Sequence, residues 1–383
     1  MSGIVDGRVD PAFQAVREIF EASFADGRNT GAAMAVYLDG RPVVDLWGGI
    51  ADARTQRPWE RDTPAVTFSC TKALTATAAL AVAHESGTSL SEPVTTWWPE
   101  YGVEGKAATT LADLLSHRAG LPAFERAVTA TEAADPAKMA ALLADQRPLW
   151  EPGTEHGYHA LSFGWLVGEF VRRQTNSTVG EYVRRHFGEE LWIGAPAHVA
   201  EQAARVGFPP AAEQAWTDPG PIDAATIDRM SRAYRDPGSL ALRASTNPVG
   251  SYNNPEALAG GWPASGLVTT ARALAGFYRD LVGGALLPPE LVSDAIRERV
   301  RGTDAVLLLE SAFGLGYMRS CENFILPDTA RDTAFGHPGA GGAIGLGDLE
   351  NRLAIAFVPN LRRDWLAGDR RAYDLVAATY DAL

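Results

Sequence analysis

Two hairpin signatures at opposite ends of the 383-residue chain constrain its fold more than any other feature. Near the N-terminus, MAVYLDGRPVVDLWGG carries two apolar runs flanking Asp39-Gly40, the strongest short-range hairpin signal. Near the C-terminus, Ala343 to Asn360 reads as two strands about a tight turn near Asp348 to Asn351. Each hairpin has a helical pattern beside it. Residues 10 to 26 place Phe13, Val16, Ile19, Phe20 and Phe24 near one face. A second helix is expected from about Arg363 to the C-terminus. The chain therefore opens helix, strand, strand. The middle, roughly 85 to 260, is mostly helical with Pro/Gly-rich connections such as PGTEHGY and DPGPIDAAT. No internal repeat or low-complexity block interrupts it. The pattern predicts one α/β layer built from residues 1–84 and 261–383, with a mainly helical region, residues 85–260, inserted between them. Chain ends that meet in one sheet are physically cheap, because termini often lie close together.

The composition is that of an ordinary globular protein, with 46% hydrophobic and 21% charged residues. The net charge of -13 argues against nucleic acid or an anionic membrane as partner, since both require basic patches. The N-terminus, MSGIVDGRVDPAFQ, lacks a basic segment followed by an apolar run, and no stretch approaches 18 uninterrupted apolar residues. A cytoplasmic protein without signal peptide or membrane span is expected. The two cysteines, Cys70 and Cys321, are then expected as reduced thiols, and Asn176-Ser177-Thr178 is a sequon without consequence. No metal or cofactor is suggested. A homo-oligomer is left open.

The stretch TFSCTKAL sets Ser69 three residues before Lys72. The helical pattern KALTATAALAVAHESG follows, and Gly87 supplies its stop. Residues three apart share a helix face, and a helix start favours developing negative charge. Such a site suits a serine that becomes an acyl carrier. The alternative is that Ser69 merely caps the helix. With 17 serines and three lysines in the chain, an S-x-x-K match arises by chance roughly one time in eight. The lysine count adds weight. Only Lys72, Lys106 and Lys138 are lysine among 34 basic residues. Arginine serves elsewhere, and arginine cannot lose its proton, whereas a desolvated lysine can.

A serine nucleophile needs a base. The G-x-S-x-G elbow of the α/β-hydrolases is absent. The nearest approach, Ala160-Leu161-Ser162-Phe163-Gly164, lies in a helical pattern. Instead, Trp150–Gly153 leads to Tyr158-His159-Ala160 ahead of a helix, and His337-Pro338-Gly339 leads into a strand. With LLSHRAGLP at Leu114–Pro122 and PASGLVTTARALAGFY at Pro263–Tyr278, the chain resembles the serine β-lactamase and penicillin-binding protein superfamily. It is most similar to the family VIII carboxylesterases, which share the class C β-lactamase fold. The resemblance covers nearly the whole chain. It implies an α+β fold, with a central antiparallel sheet flanked by helices and the active site in the cleft beside the helical region.

The same resemblance implies residue roles. Ser69 would be the nucleophile, and Lys72 would polarise it and help accept its proton. Tyr158 would be the partner base and then the acid for the leaving group. The N–H groups of Ser69 and Ala340 would form the oxyanion hole, Ala340 lying on an edge-facing strand. His337 and Gly339 would border the substrate, His337 in place of the K-T-G lysine and partly charged near neutral pH. A lysine cation is expected to lower the Tyr158 hydroxyl, and whether Lys72 or Tyr158 is the primary base stays open. Trp262 is either core or the wall of an acyl pocket. His117 is expected to hold a turn, His159 to stand behind the site, and Cys70 to fill space. Where class C lactamases have Tyr-x-Asn, this chain has Ala160, which lacks the amide that grips a β-lactam. The expected activity is hydrolysis of small to medium acyl esters through an acyl-enzyme. The alternatives are an amide or β-lactam hydrolase, or a binding protein that keeps the fold.

Overall fold

The computed structural model describes residues 5–208, 222–363 and 369–383. Asp39 and Gly40 make the expected turn, at φ 50° and 76°, and join the strands Gly31–Leu38 and Arg41–Asp52. The second hairpin pairs Ile344–Asp348 with Leu353–Pro359. There the Asp348 carboxylate accepts from the N–H groups of Glu350 and Asn351 and closes the turn.

The two hairpins meet directly, from Leu353 opposite Leu38 to Pro359 opposite Ala32. One sheet therefore contains both chain ends. Its order is Val5–Val9, Arg41–Asp52, Gly31–Leu38, Leu353–Pro359, Ile344–Asp348, Ala334–Pro338, with Arg57–Pro58 paired to Arg41–Asp52. Every neighbouring pair is antiparallel. The α+β architecture with helices on an antiparallel sheet is as expected.

The ends differ in detail. The chain opens on the edge strand Val5–Val9, ahead of the helix Gln14–Ala25. VDGRV alternates half-buried and exposed residues, so backbone pairing holds it and no apolar run announces it. The C-terminal helix is Arg370–Asp381. Residues 364–368 of the longer helix expected from about Arg363 lie outside the described residues.

Strand alternation sorts the two faces of the sheet. Met34, Val36, Ile355 and Phe357 bury against Phe20 of the first helix and Leu375 of the last. Fully burying a side chain of this size contributes about 1.5–3 kcal/mol. Ala33, Ala35, Ala354 and Ala356 face the other way, toward Leu274 and Tyr278 of helix Ala271–Val282. Small residues on that face let the helix approach closely; Gly345 leaves no room for a Cβ under the Tyr278 ring. The helix Thr71–Ser86 is buried from Thr71 to Ala83 and packs on Ser162–Thr175. Its small and apolar residues run all round the helix, and Lys72 and the threonines are buried among them, which suits an interior position. Gly87 ends it in the left-handed conformation, with its N–H on the Ala83 carbonyl.

Candidate active site

Ser69 stands in the turn that feeds this buried helix. The preceding strand, Ala65–Val66, pairs with Leu267–Thr269. Phe68 then adopts φ 49°, a conformation that an aromatic residue holds only when its surroundings fix it. Tyr252 braces the Phe68 ring edge-on, at 4.8 Å between centroids. The reversal presents Ser69 at the helix start. Cys70 is the N-cap, and no side chain caps the helix. Ser69 therefore does not serve as the cap.

The Ser69 Oγ lies 3.2 Å from Lys72 Nζ. Lys72 is 0% exposed, and its Nζ also lies 2.7 Å from the Ala160 carbonyl and 3.1 Å from the Ala264 carbonyl. Burial pushes its ammonium well below the usual lysine range. A neutral amine has two N–H donors and one lone pair. The two carbonyls accept the two donors, which leaves the lone pair facing the Ser69 hydroxyl.

Tyr158 packs over Lys72, with Nζ 4.7 Å from its ring centroid. Its hydroxyl is 3.5 Å from His337 Nε2 and is hydrogen-bonded with Ser69. Burial pushes this hydroxyl above the usual tyrosine range, although the Ser69 hydrogen bond pulls the other way. The expected lowering by a lysine cation is not met. The same dry surroundings drive both groups toward their neutral forms.

His337 corrects a second expectation. It is 1% exposed, and burial lowers it to about 3. It is neutral rather than partly charged. Its Nδ1–H donates to the Pro338 carbonyl at 2.7 Å, so Nε2 is the acceptor facing Tyr158.

Ala340 corrects a third. It lies in the exposed turn after the edge strand Ala334–Pro338, not on a strand. Among the described residues, neither the Ser69 N–H nor the Ala340 N–H has a hydrogen-bond partner. Gly339 holds this turn beside the serine, since a Cβ there would collide with the Thr67 carbonyl oxygen. Cys70 donates from Sγ to the His337 carbonyl at 3.3 Å, and burial pushes its thiol up to about 12. It ties the two segments together as an inert thiol.

A cavity of about 580 Å³ opens over Ser69, lined also by Tyr158, His337, Gly339, Ala340 and Trp262. Lys72 lies beneath its floor. Trp262 is both core and wall: it packs against Trp165 and Tyr252, with centroids 6.2 and 6.0 Å away, and one edge reaches the cavity. A second cavity, of about 560 Å³, lies behind the helix Ser162–Thr175. It contains none of these groups, and its buried Glu169 is already paired with Arg172 and Arg173.

A carboxylate that sequence reasoning missed lies behind Tyr158. Asp304, 0% exposed, accepts from the N–H groups of Tyr158, Val306 and Leu307 at 2.8–2.9 Å. It also accepts from the Ser311 hydroxyl at 2.8 Å, and Ser311 lies 3.0 Å from His156 Nε2. Asp304 and Tyr158 are 146 residues apart, so no spacing signals the contact. His117 and His159 form the scaffold expected of them. The His159 N–H donates to His117 Nδ1 at 3.1 Å, and His159 Nδ1–H donates to the Gly157 carbonyl at 2.7 Å. Lys106 is also buried, donating to the carbonyls of Val103 and Gln146 at 3.0 and 2.6 Å. Burial of a scarce lysine thus does not by itself mark the site. The serine oxygen as third partner distinguishes Lys72.

Among the described residues, no cluster of three or more His, Cys, Asp or Glu could hold a metal ion, and no helix is long and apolar enough to cross a membrane.

The family model described as Beta-lactamase matches residues 16–379. The Esterase/beta-lactamase LipL of Mycobacterium tuberculosis is 34% identical over 371 residues, covering 93% of this chain and 83% of its own. A penicillin-binding protein homolog from Caulobacter crescentus superposes with a TM-score of 0.86 at 34% identity, covering 100% of both chains. A family VIII carboxylesterase superposes with a TM-score of 0.85 at 30% identity, over 99% of this chain and 100% of that one. The chain therefore belongs to the β-lactamase family.

Proposed function

We propose that the protein is a serine carboxylesterase that hydrolyses small to medium acyl esters through an acyl-enzyme. The observation that carries this reading is the Lys72 environment, two carbonyls and one serine oxygen about a buried amine. In the proposed cycle neutral Lys72 takes the Ser69 proton as Oγ attacks the ester carbonyl. The N–H groups of Ser69 and Ala340 receive the oxyanion, an arrangement in which one donor typically contributes about 3–4 kcal/mol. Protonated Tyr158 sits between Ser69 and His337 and relays a proton to the departing alkoxide. Lys72 then returns that proton to Tyr158. Water repeats the sequence on the acyl-enzyme and releases the acid. A cytoplasmic setting is part of the proposal and fits the two free thiols.

Ser69→Ala should reduce 4-nitrophenyl ester cleavage at least about a thousandfold while circular dichroism and the melting temperature stay near wild type. Full activity in that variant would exclude Ser69 as nucleophile. A second reading, β-lactam hydrolysis, is favoured by the 34% identical relative, the Esterase/beta-lactamase LipL. Two features weigh against it as the main activity. Ala160 offers no amide to a β-lactam, and neutral His337 offers no cation to its carboxylate. Nitrocefin turnover comparable with ester turnover would reverse the order of the two readings.

A further inference from the structure

The wall of the Ser69 cavity has the opposite charge to the molecule. The chain carries a net charge of -13. Among the described lining residues, however, Arg235 and Arg362 are cations, Arg363 is already engaged with the Gly27 carbonyl, and Asp369 is the carboxylate. That carboxylate is spent on Arg371, at 2.9 Å from Nε and 2.5 Å from a terminal nitrogen. Clefts of one sign concentrate ligands of the other.

Arg362 is placed to act on this. Its stem lies against Gly341, one residue after Ala340. Its guanidinium lies over the ring of Phe68, one residue before Ser69, with Cζ 5.7 Å from the centroid. Phe208 flanks it at 6.0 Å. The guanidinium carbon stands over both rings, and among the described residues no hydrogen bond or ion pair engages its side chain. An arginine braced by aromatic rings and not engaged by a carboxylate of its own keeps its donor fork for one. Most other arginines on this surface are already paired, as Arg61 is with Asp45 and Arg352 with Asp39.

We propose that the substrate carries a carboxylate close to its scissile ester and that Arg362 binds it. This rests on the esterase reading for the reaction, though not for the anion site itself. Neutral His337 cannot fill that role, so selectivity for an acidic ester falls to Arg362. Because the site is half-open to water, the expected discrimination is at the low end for a charged hydrogen bond, about tenfold.

The test uses two matched ester pairs. 4-Nitrophenyl 4-carboxybenzoate against 4-nitrophenyl 4-carbamoylbenzoate places the charge on the acyl side. 3-Acetoxybenzoate against 3-acetoxybenzamide places it on the alcohol side. The wild type should prefer the acid over the amide in at least one pair by about tenfold in kcat/KM, through KM. Arg362→Leu should erase that ratio, and Arg362→Lys should keep part of it. Independently, calorimetry on Ser69→Ala should show benzoate binding about tenfold more tightly than benzamide, a difference lost when Arg362→Leu is added. Equal treatment of acid and amide in both assays, or a preference that survives Arg362→Leu, would overturn the proposal. Benzoate selectivity without any ester cleavage would retire the esterase reading and leave the anion site standing.

Discussion

Lys72 and Lys106 are both buried and both bonded to backbone carbonyls, yet only one faces a hydroxyl. The difference lies in a single neighbour. At Lys72, burial favours the neutral amine, and the Ser69 hydroxyl stands within reach of its nitrogen. Arginine at this position would keep its charge at every working pH. Lys72→Arg should therefore inactivate as fully as Lys72→Ala, by at least about a thousandfold in kcat, and retained activity would show that position 72 acts only as a cation. The pH profile follows from the same shifts. In the proposed cycle Lys72 acts when neutral and is held well below the usual lysine range, so kcat/KM should fall toward acid, at a pH well below that of an ordinary lysine. In the proposed cycle Tyr158 acts as an acid, and it is held above the usual tyrosine range, so no alkaline fall should occur near pH 10. At this scale the S-x-x-K pair was legible, because three-residue spacing fixes a shared helix face. The protonation states were not. They depend on how dry the site is, and dryness comes from segments far away in sequence.

Among the elements, the edge strand Ala334–Pro338 and its turn carry most of the positioning. Gly339 lets the turn lie against the Thr67 carbonyl, and Cys70 bonds to the His337 carbonyl two residues before that glycine. Gly339→Ala should displace Ala340 from Ser69, costing about 1–3 kcal/mol of stability and lowering kcat at least about tenfold. Unchanged kcat in that variant would argue that the Ala340 N–H has no part in the reaction. Asp304 acts in the same way on Tyr158, through its backbone N–H. Asp304→Ala leaves three buried N–H groups unpaired and should destabilise the fold by about 3 kcal/mol, with kcat falling more than KM rises. Asp304→Asn keeps an acceptor and should recover part of both. Equal effects on kcat and KM, without rescue, would reduce Asp304 to a folding role. The hairpins were legible because a turn dipeptide and strand alternation are local signals. Val5–Val9 was not, since an edge strand with a polar face lacks an apolar pattern. Asp304 was not, since its partner is 146 residues away.

For the whole molecule, pairing Leu353–Pro359 with Gly31–Leu38 closes one sheet from both chain ends, and Tyr158, Ser231 and Leu242 from the chain between them line the Ser69 cavity. The resulting dry interior also holds histidines neutral. Burial lowers His159 and His337 to about 3 and His117 well below its usual value. The unfolded chain protonates these rings near pH 6.5. Between about pH 6.5 and 3 it therefore binds more protons than the folded chain, and stability falls as the pH drops. Each such histidine contributes up to about 1.4 kcal/mol per pH unit in that window. Urea midpoints should decline between pH 7.5 and pH 5, and a flat profile would contradict the neutral assignments. The central claim, that Ser69 becomes acylated, has a direct test. The protein is mixed with 4-nitrophenyl acetate, quenched in acid during turnover and digested for mass spectrometry. An acetyl group on the peptide containing Ser69, absent from the Ser69→Ala variant, is the predicted result. Ester turnover with no adduct, or with the acetyl group on another residue, would contradict the account.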